Sequence, residues 1–386
     1  MLLESNLKAD KFGYYQAGTL KTYSKLEGIE WQARTGDFPE WNFNREIFNT
    51  ASWRVEPPID LWDLYKTRAR QIRNQYDYCV IFYSGGSDSS NLLKAWTQAD
   101  CKIDEIACFV DYEATGDRTD VVNSEPNNVV FPTIKAMQNS GMDFIFREID
   151  MSADTINYVE EMNTDYFYCA NHSFSPNNIV KGRWRRTIQD YQNLINQGKK
   201  VCFIWGSEKP QLGVDDKGWY FQFLDIFDNC VSPEVQRQYT NGWYDELFYW
   251  TPDMPEIVIK QSHVIKRFCE TCNDASFYQS RRTPFGYNKT LNMYVTMDAV
   301  KSILYPFWDN KTFVHGKSKP IREGMGYLAF SERDAWFFNS NLEQANRYEK
   351  HLWSYINNLK NHPHFDWFDT SSKSVIKASV QRHYFA

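Results

Sequence analysis

Cysteine is scarce in this chain, at 8 of 386 residues, too few for a disulfide framework at such a length. Cys79, Cys108 and Cys202 lie inside apolar runs, which suits reduced, buried thiols. Long apolar runs are missing too: none approaches the roughly 20 residues that a membrane span requires. The opening MLLESNLKADKFG has no basic stretch leading into an apolar one, so the expectation is a soluble, cytoplasmic chain without a secretory signal. Positive charge is not in excess. The net charge is −6, which gives no global field for a phosphate backbone. Neither an internal repeat nor a low-complexity segment is found.

What is abundant is aromatic: 27 Phe, 24 Tyr and 14 Trp, most simply read as core packing. The length allows two or three domains. Residues 1–58 read as irregular, closing at Pro57-Pro58. IDLWDLYKTRARQIRNQYD then opens on Asp60 as an N-cap candidate, with Leu61, Leu64, Tyr65, Arg68 and Ile72 at helical spacing. YCVIFY is a continuous apolar run of the buried-strand type. Beyond a glycine turn, SNLLKAWTQAD predicts a helix and IDEIACFVDY a second strand. A helix beginning near Pro132 and a strand over DFIFREID follow. RTIQDYQNLINQG is a helix stopped at Gly198, and KKVCFIWG is a fourth strand.

That alternation predicts an α/β fold with a doubly wound parallel sheet. The expected organisation is an N-terminal extension and lead-in helix over 1–75, the sheet domain over 76–250 and a mainly helical region over 251–386. In such sheets ligands bind beyond the carboxyl ends of the strands, where strand order reverses. SGGSDSS, Ser84 to Ser90, and GSEK, Gly206 to Lys209, both stand at strand ends of that kind.

SGGSDSS is the least ordinary stretch of the chain. Gly85 and Gly86 allow backbone conformations that a Cβ would forbid, and they let a ligand approach closely. The first amides of the following helix are unpaired, with the positive end of its dipole behind them. Hydroxyls of Ser84, Ser87, Ser89 and Ser90 add donors, and the whole suits an anion such as phosphate. Asp88 would repel that anion unless a divalent cation, most simply Mg²⁺, bridges the two.

In its strand-turn-helix setting, SGGSDSS resembles the PP-loop, S-G-G-x-D-S, of the ATP pyrophosphatase superfamily. Members include asparagine synthetase, β-lactam synthetase, GMP synthetase, NAD synthetase, 7-cyano-7-deazaguanine synthase and the tRNA thiolases. The match is complete from Ser84 to Ser89, and the strand order extends it over roughly Tyr76 to Gln211. The resemblance implies a sheet of the adenine nucleotide alpha hydrolase-like (HUP) type and cleavage of ATP between the α and β phosphates. It implies that Ser84, Gly85, Gly86, Ser87, Ser89 and Ser90 hold the leaving pyrophosphate while Asp88 holds Mg²⁺. A second metal carboxylate is expected after the fourth strand, where Glu208 stands, although GSEK departs from the family's G-x-G-x-D-E. Gly206 would border the nucleotide, and Phe109 and Val110 would meet adenine through backbone atoms. Related synthetases bring a C-terminal lysine to the phosphates; Lys317 or Lys319 in HGKSKP is the candidate here.

HGKSKP is not itself a Walker A loop, because Lys311 stands where that motif needs glycine. CETC, Cys269 to Cys272, is a lone CxxC, either two ordinary thiols or a sulfur or metal site with His263 as a third ligand. NHSFSPNN, with His172, is an acceptor-pocket loop or a plain turn. KGRWRR, with Lys181, Arg183, Arg185 and Arg186, is a basic patch or a solvated face. Leu2 occupies the place of the nucleophilic cysteine in glutaminase-bearing relatives, so no glutaminase is expected. The leading expectation is an AMP-forming ligase or amide synthetase that adenylylates a carboxylate or carbonyl oxygen. The alternatives are a nucleobase- or tRNA-modifying enzyme and a non-catalytic nucleotide-binding module. The acceptor is a small molecule left unidentified. Nucleic acid is not favoured as a partner, and a homodimer, common among relatives, is one option.

Overall fold

The computed structural model describes residues 12–22, 25–119, 124–161, 188–206, 209–210, 212–225, 242–271, 278–279, 294–295, 297–308, 332–350, 379 and 381–385. The described residues before Leu61 hold more regular structure than their sequence suggests. Tyr14–Ala17 (β1), Leu20–Thr22 (β2) and Glu40–Asn42 (β3) form an antiparallel sheet in the order β2-β1-β3. Helices Lys25–Thr35 (α1) and Arg45–Thr50 (α2) accompany it. Its strands are too short to show a period-2 pattern, and only burial reveals them: Tyr15, Ala17, Leu20 and Trp41 all point into the core.

Leu61–Gln75 (α3) follows the expected spacing and buries Leu64, Tyr65, Arg68, Ala69 and Ile72. Asp60 stands at its N-cap in extended conformation, without a side-chain cap bond. The parallel strands are Tyr78–Phe82 (β4), Glu105–Val110 (β5), Ile145–Asp150 (β6) and Val201–Trp205 (β7), with a fifth, Trp243–Leu247, described below as β10. β4 and β7 are apolar without interruption and buried on both faces, whereas the edge strand β6 is largely exposed. Between the strands run Ser87–Gln98 (α4), Phe131–Asn139 (α5), Ser152–Glu161 (α6) and the helix Gln189–Asn196. The last of these ends near Gly198, whose φ of +79° no side chain adopts easily. A π-helical turn, Pro126–Val130, leads into α5, so helical structure begins before Pro132.

Leu212–Asp215 (β8) and Gly218–Phe221 (β9) make a hairpin, and Trp243–Leu247 (β10) returns to the main sheet. All neighbours in that sheet are parallel, in the order β10-β7-β4-β5-β6. The chain thus moves outward from β4 through β5 to β6, crosses back to β7 on the other side of β4, and continues to β10. Strand order reverses between β4 and β7, as a doubly wound α/β sheet requires.

Downstream, the described residues include the helices Glu256–Thr271, Met297–Leu304 and Glu332–Ser340. Three short strands join them: Tyr278–Gln279 (β11), Tyr294–Val295 (β12) and His383–Tyr384 (β13). β13 pairs with β9 and closes a second antiparallel sheet, β13-β9-β8. Cys79, Cys108 and Cys202 are buried as expected, and burial pushes the Cys79 and Cys108 thiols up to about 12. Among the described residues, no helix is long and apolar enough to cross a membrane.

Candidate active site

β4 delivers the chain to the reversal point at Phe82, and Tyr83 and Ser84 follow. Gly85 then takes a φ of +78°, turning the backbone so that α4 starts at Ser87 with Gly86 as its N-cap. No side chain caps that end of the helix. A Cβ on Gly86 would meet only the Ser84 hydroxyl, at 3.4 Å, so this side of the turn is open. A Cβ on Gly85 would instead meet Val129 at 3.1 Å and Val130 at 3.2 Å, so that glycine is packed from behind.

Ser84 is exposed. Ser89 is buried, donates to the Gly86 carbonyl at 3.1 Å and accepts from the Ser84 amide at 3.2 Å. Ser90 donates to the Gly85 carbonyl at 3.4 Å. Ser89 and Ser90 therefore hold the loop in shape. The Ser84 hydroxyl meets that of Ser89 at 3.1 Å and accepts from the Gly86 amide at 3.4 Å, and the buried Ser87 hydroxyl lies 3.5 Å from the Asp88 carboxylate.

Lys209, four residues past the end of β7, is the neighbour that the motif does not announce. Its ammonium donates to Asp88 Oδ1 at 2.6 Å and also to Oδ2. The side chain is 5% exposed. Tyr305, just beyond the helix Met297–Leu304, donates its hydroxyl to the same Oδ1. Tyr249 donates to the Asp88 carbonyl at 2.8 Å and accepts from Asn91 at 2.9 Å. Burial, followed by the Asp88 charge among other neighbours, raises the Tyr305 hydroxyl far above its ordinary range, so it stays a proton donor. Gly206 brings the two loops together: a Cβ there would lie 3.1 Å from the backbone of Asp88 and Ser89.

At the end of β5 the backbone acceptors are engaged. The Phe109 carbonyl accepts from Arg333 at 3.0 Å, and the Val110 carbonyl accepts from the Met151 amide at 3.0 Å. What Phe109 contributes is its ring, stacked on Phe82 at 5.2 Å, while Phe82 lies 3.8 Å from Trp205. Three rings thus line the carboxyl ends of β5, β4 and β7. Beside them Asp111 is buried, and burial raises its carboxyl against the opposing pull of Arg333 and the Ser152 hydroxyl.

Several sequence candidates fall outside the described residues: Glu208, Lys317, Lys319, Cys272, His172 and the KGRWRR basic run. His263 is described, and its ring bonds the Trp53 carbonyl at 2.8 Å. It shares the helix Glu256–Thr271 with Cys269 but at a spacing that sets the two on different faces. Among the described residues no three His, Cys, Asp or Glu side chains gather to hold a metal. The open glycine turn and uncapped helix start fit an oxyanion. A divalent ion on Asp88 would have to displace Lys209 and Tyr305.

No protein-family model matches the chain, and no curated protein does. Among solved structures it is similar to an NAD+ synthetase from Burkholderia pseudomallei, at 12% identity and a TM-score of 0.24. The similarity covers 42% of this chain and 58% of that one. The chain therefore spans little more than half of the structure it matches, and a likeness so low carries no function with it. The chain is a doubly wound α/β protein with a glycine-serine turn at its strand-order reversal.

Proposed function

We propose that the chain is an ATP-dependent, AMP-forming ligase of the PP-loop kind, acting on a carboxylate or carbonyl oxygen of a small molecule. The observation that carries this reading is the position of Ser84–Ser87. An anion-suited turn that resembles S-G-G-x-D-S sits at the carboxyl end of β4, beside the point where the sheet reverses direction. ATP would supply an activated α-phosphate and a pyrophosphate leaving group. Gly85 and Gly86 would give backbone approach to that leaving group, with the Ser84 and Ser87 hydroxyls and the first amides of α4 as donors. Lys209 and Asp88 would set the charge of the cradle. The rings of Phe82, Phe109 and Trp205 stack on one another beside this turn.

The test is ³¹P NMR of the protein with Mg-ATP and pooled carboxylates, amines and nucleosides, run beside Asp88→Ala. The expected result is AMP and pyrophosphate from the wild type and neither from the variant. ADP with inorganic phosphate would overturn α–β cleavage. Bound but intact ATP with every pool would point to the non-catalytic module.

A further inference from the structure

A carboxylate inside a phosphate cradle poses an electrostatic problem that must be solved by a cation, and this fold has one in place. Asp88 Oδ1 accepts from Lys209 at 2.6 Å and from Tyr305; Oδ2 accepts from Lys209 and lies 3.5 Å from the Ser87 hydroxyl. Neither oxygen is left bare for a metal. The two donors are also hard to move. Lys209 is 5% exposed and Tyr305 1%. The Tyr305 ring packs 5.7 Å from Tyr249 and 6.4 Å from Tyr65, and the Lys209 ammonium lies 5.9 Å from its centroid. A divalent ion on Asp88 would part a buried ammonium from that carboxylate and set it next to a second, larger positive charge.

We infer that Lys209 is the resident cation of the loop. It occupies the place at Asp88 that a divalent metal would take, so the turn binds pyrophosphate, or the terminal phosphates of a nucleotide, without a divalent ion on that carboxylate. This rests on the phosphate-site reading above and departs from the Mg²⁺ on Asp88 that the family resemblance implies. The charges support it. Asp88 and Lys209 sum to zero, which leaves the first amides of α4 and the positive end of its dipole unopposed toward an incoming anion. Gly206 supports it geometrically. Only without a side chain can the end of β7 lie against the backbone of Asp88 and Ser89, and that contact sets Lys209 within reach of the carboxylate.

Titration calorimetry with inorganic pyrophosphate, in EDTA and again in Mg²⁺, tests the inference on the intact chain. The wild type is expected to bind in EDTA within about threefold of its affinity in Mg²⁺. Lys209→Gln should lose about tenfold or more in EDTA, since a bare Asp88 repels the anion, and regain affinity when Mg²⁺ can take the vacated carboxylate. Lys209→Arg should behave as the wild type. Wild-type binding only in Mg²⁺, or unchanged binding by a folded Lys209→Gln in EDTA, would overturn the inference while leaving the phosphate site standing. Wild type that binds in neither buffer would overturn both. The two-buffer comparison on the wild type decides the matter even if the glutamine variant fails to fold.

Discussion

Gly85 shows how much a single residue decides at this site. Its φ of +78° lies in the left-handed region, and the space a Cβ would fill is bounded by Val129 and Val130 at 3.1 and 3.2 Å. Gly85→Ala combines a strained backbone with a crowded side chain, and should destabilise the protein by about 1–3 kcal/mol. Urea unfolding followed by circular dichroism checks this, with a lower midpoint and an unchanged slope expected. Lys209 works differently. It lies 121 positions from Asp88 in the chain, and nothing in GSEK marks the lysine, rather than the glutamate before it, as the partner. A carboxylate in an anion-binding turn does demand a cation, but sequence alone does not say which. The motif was legible because its glycines, hydroxyls and strand-helix setting are contiguous. The pairing was not, because it is made only by the fold.

Among the elements, the same contrast separates β4, β5 and β7 from β10. The first three announce themselves as apolar runs bounded by polar turns. β10 is WYDEL, and Asp245 and Glu246 disguise a strand that is nonetheless buried. Each acid has an answering group elsewhere. Trp205 donates to Asp245 at 2.6 Å. Arg68 of α3, fully buried, meets Glu246 at 2.7 Å, and Tyr76 donates to the other oxygen of that carboxylate. The short strands β1, β2, β3, β8 and β9 escaped sequence reading for another reason: each spans too few residues for alternation to show. The Arg68–Glu246 pair joins helix to sheet where water has no access. Arg68→Met should cost about 3–5 kcal/mol by stranding a buried carboxylate, whereas Arg68→Met with Glu246→Leu should recover much of it. Equilibrium unfolding of the single and double variants measures the difference. Equal losses in both would remove the pair from the account.

Across the whole molecule, His383 ties distant parts of the chain together. It belongs to β13, which pairs with β9, and its ring stacks 4.5 Å from Trp53 near α2. Burial lowers its pKa to about 4 from an ordinary 6.5. The unfolded chain therefore binds a proton between those values that the folded chain refuses. Stability from this residue is complete above about pH 6.5, declines as pH falls toward 4, and differs by on the order of 3 kcal/mol across the window. His383→Phe should flatten that part of the stability–pH curve, read from unfolding midpoints at successive pH values. A variant with the wild-type slope would show that other groups set it.

The tyrosine that completes the Asp88 cradle stands 217 residues downstream of it. At ribosomal rates of about 5–20 residues per second, that separation amounts to roughly 10–40 s of synthesis. Throughout that interval the nascent chain carries the glycine-serine turn, and before Lys209 emerges it carries Asp88 with no counter-charge from the fold. A chain that ends before Lys209 would present the Asp88 carboxylate without that ammonium. On the proposed reading, metal-free anion binding belongs to the completed chain and not to a fragment that ends before Lys209.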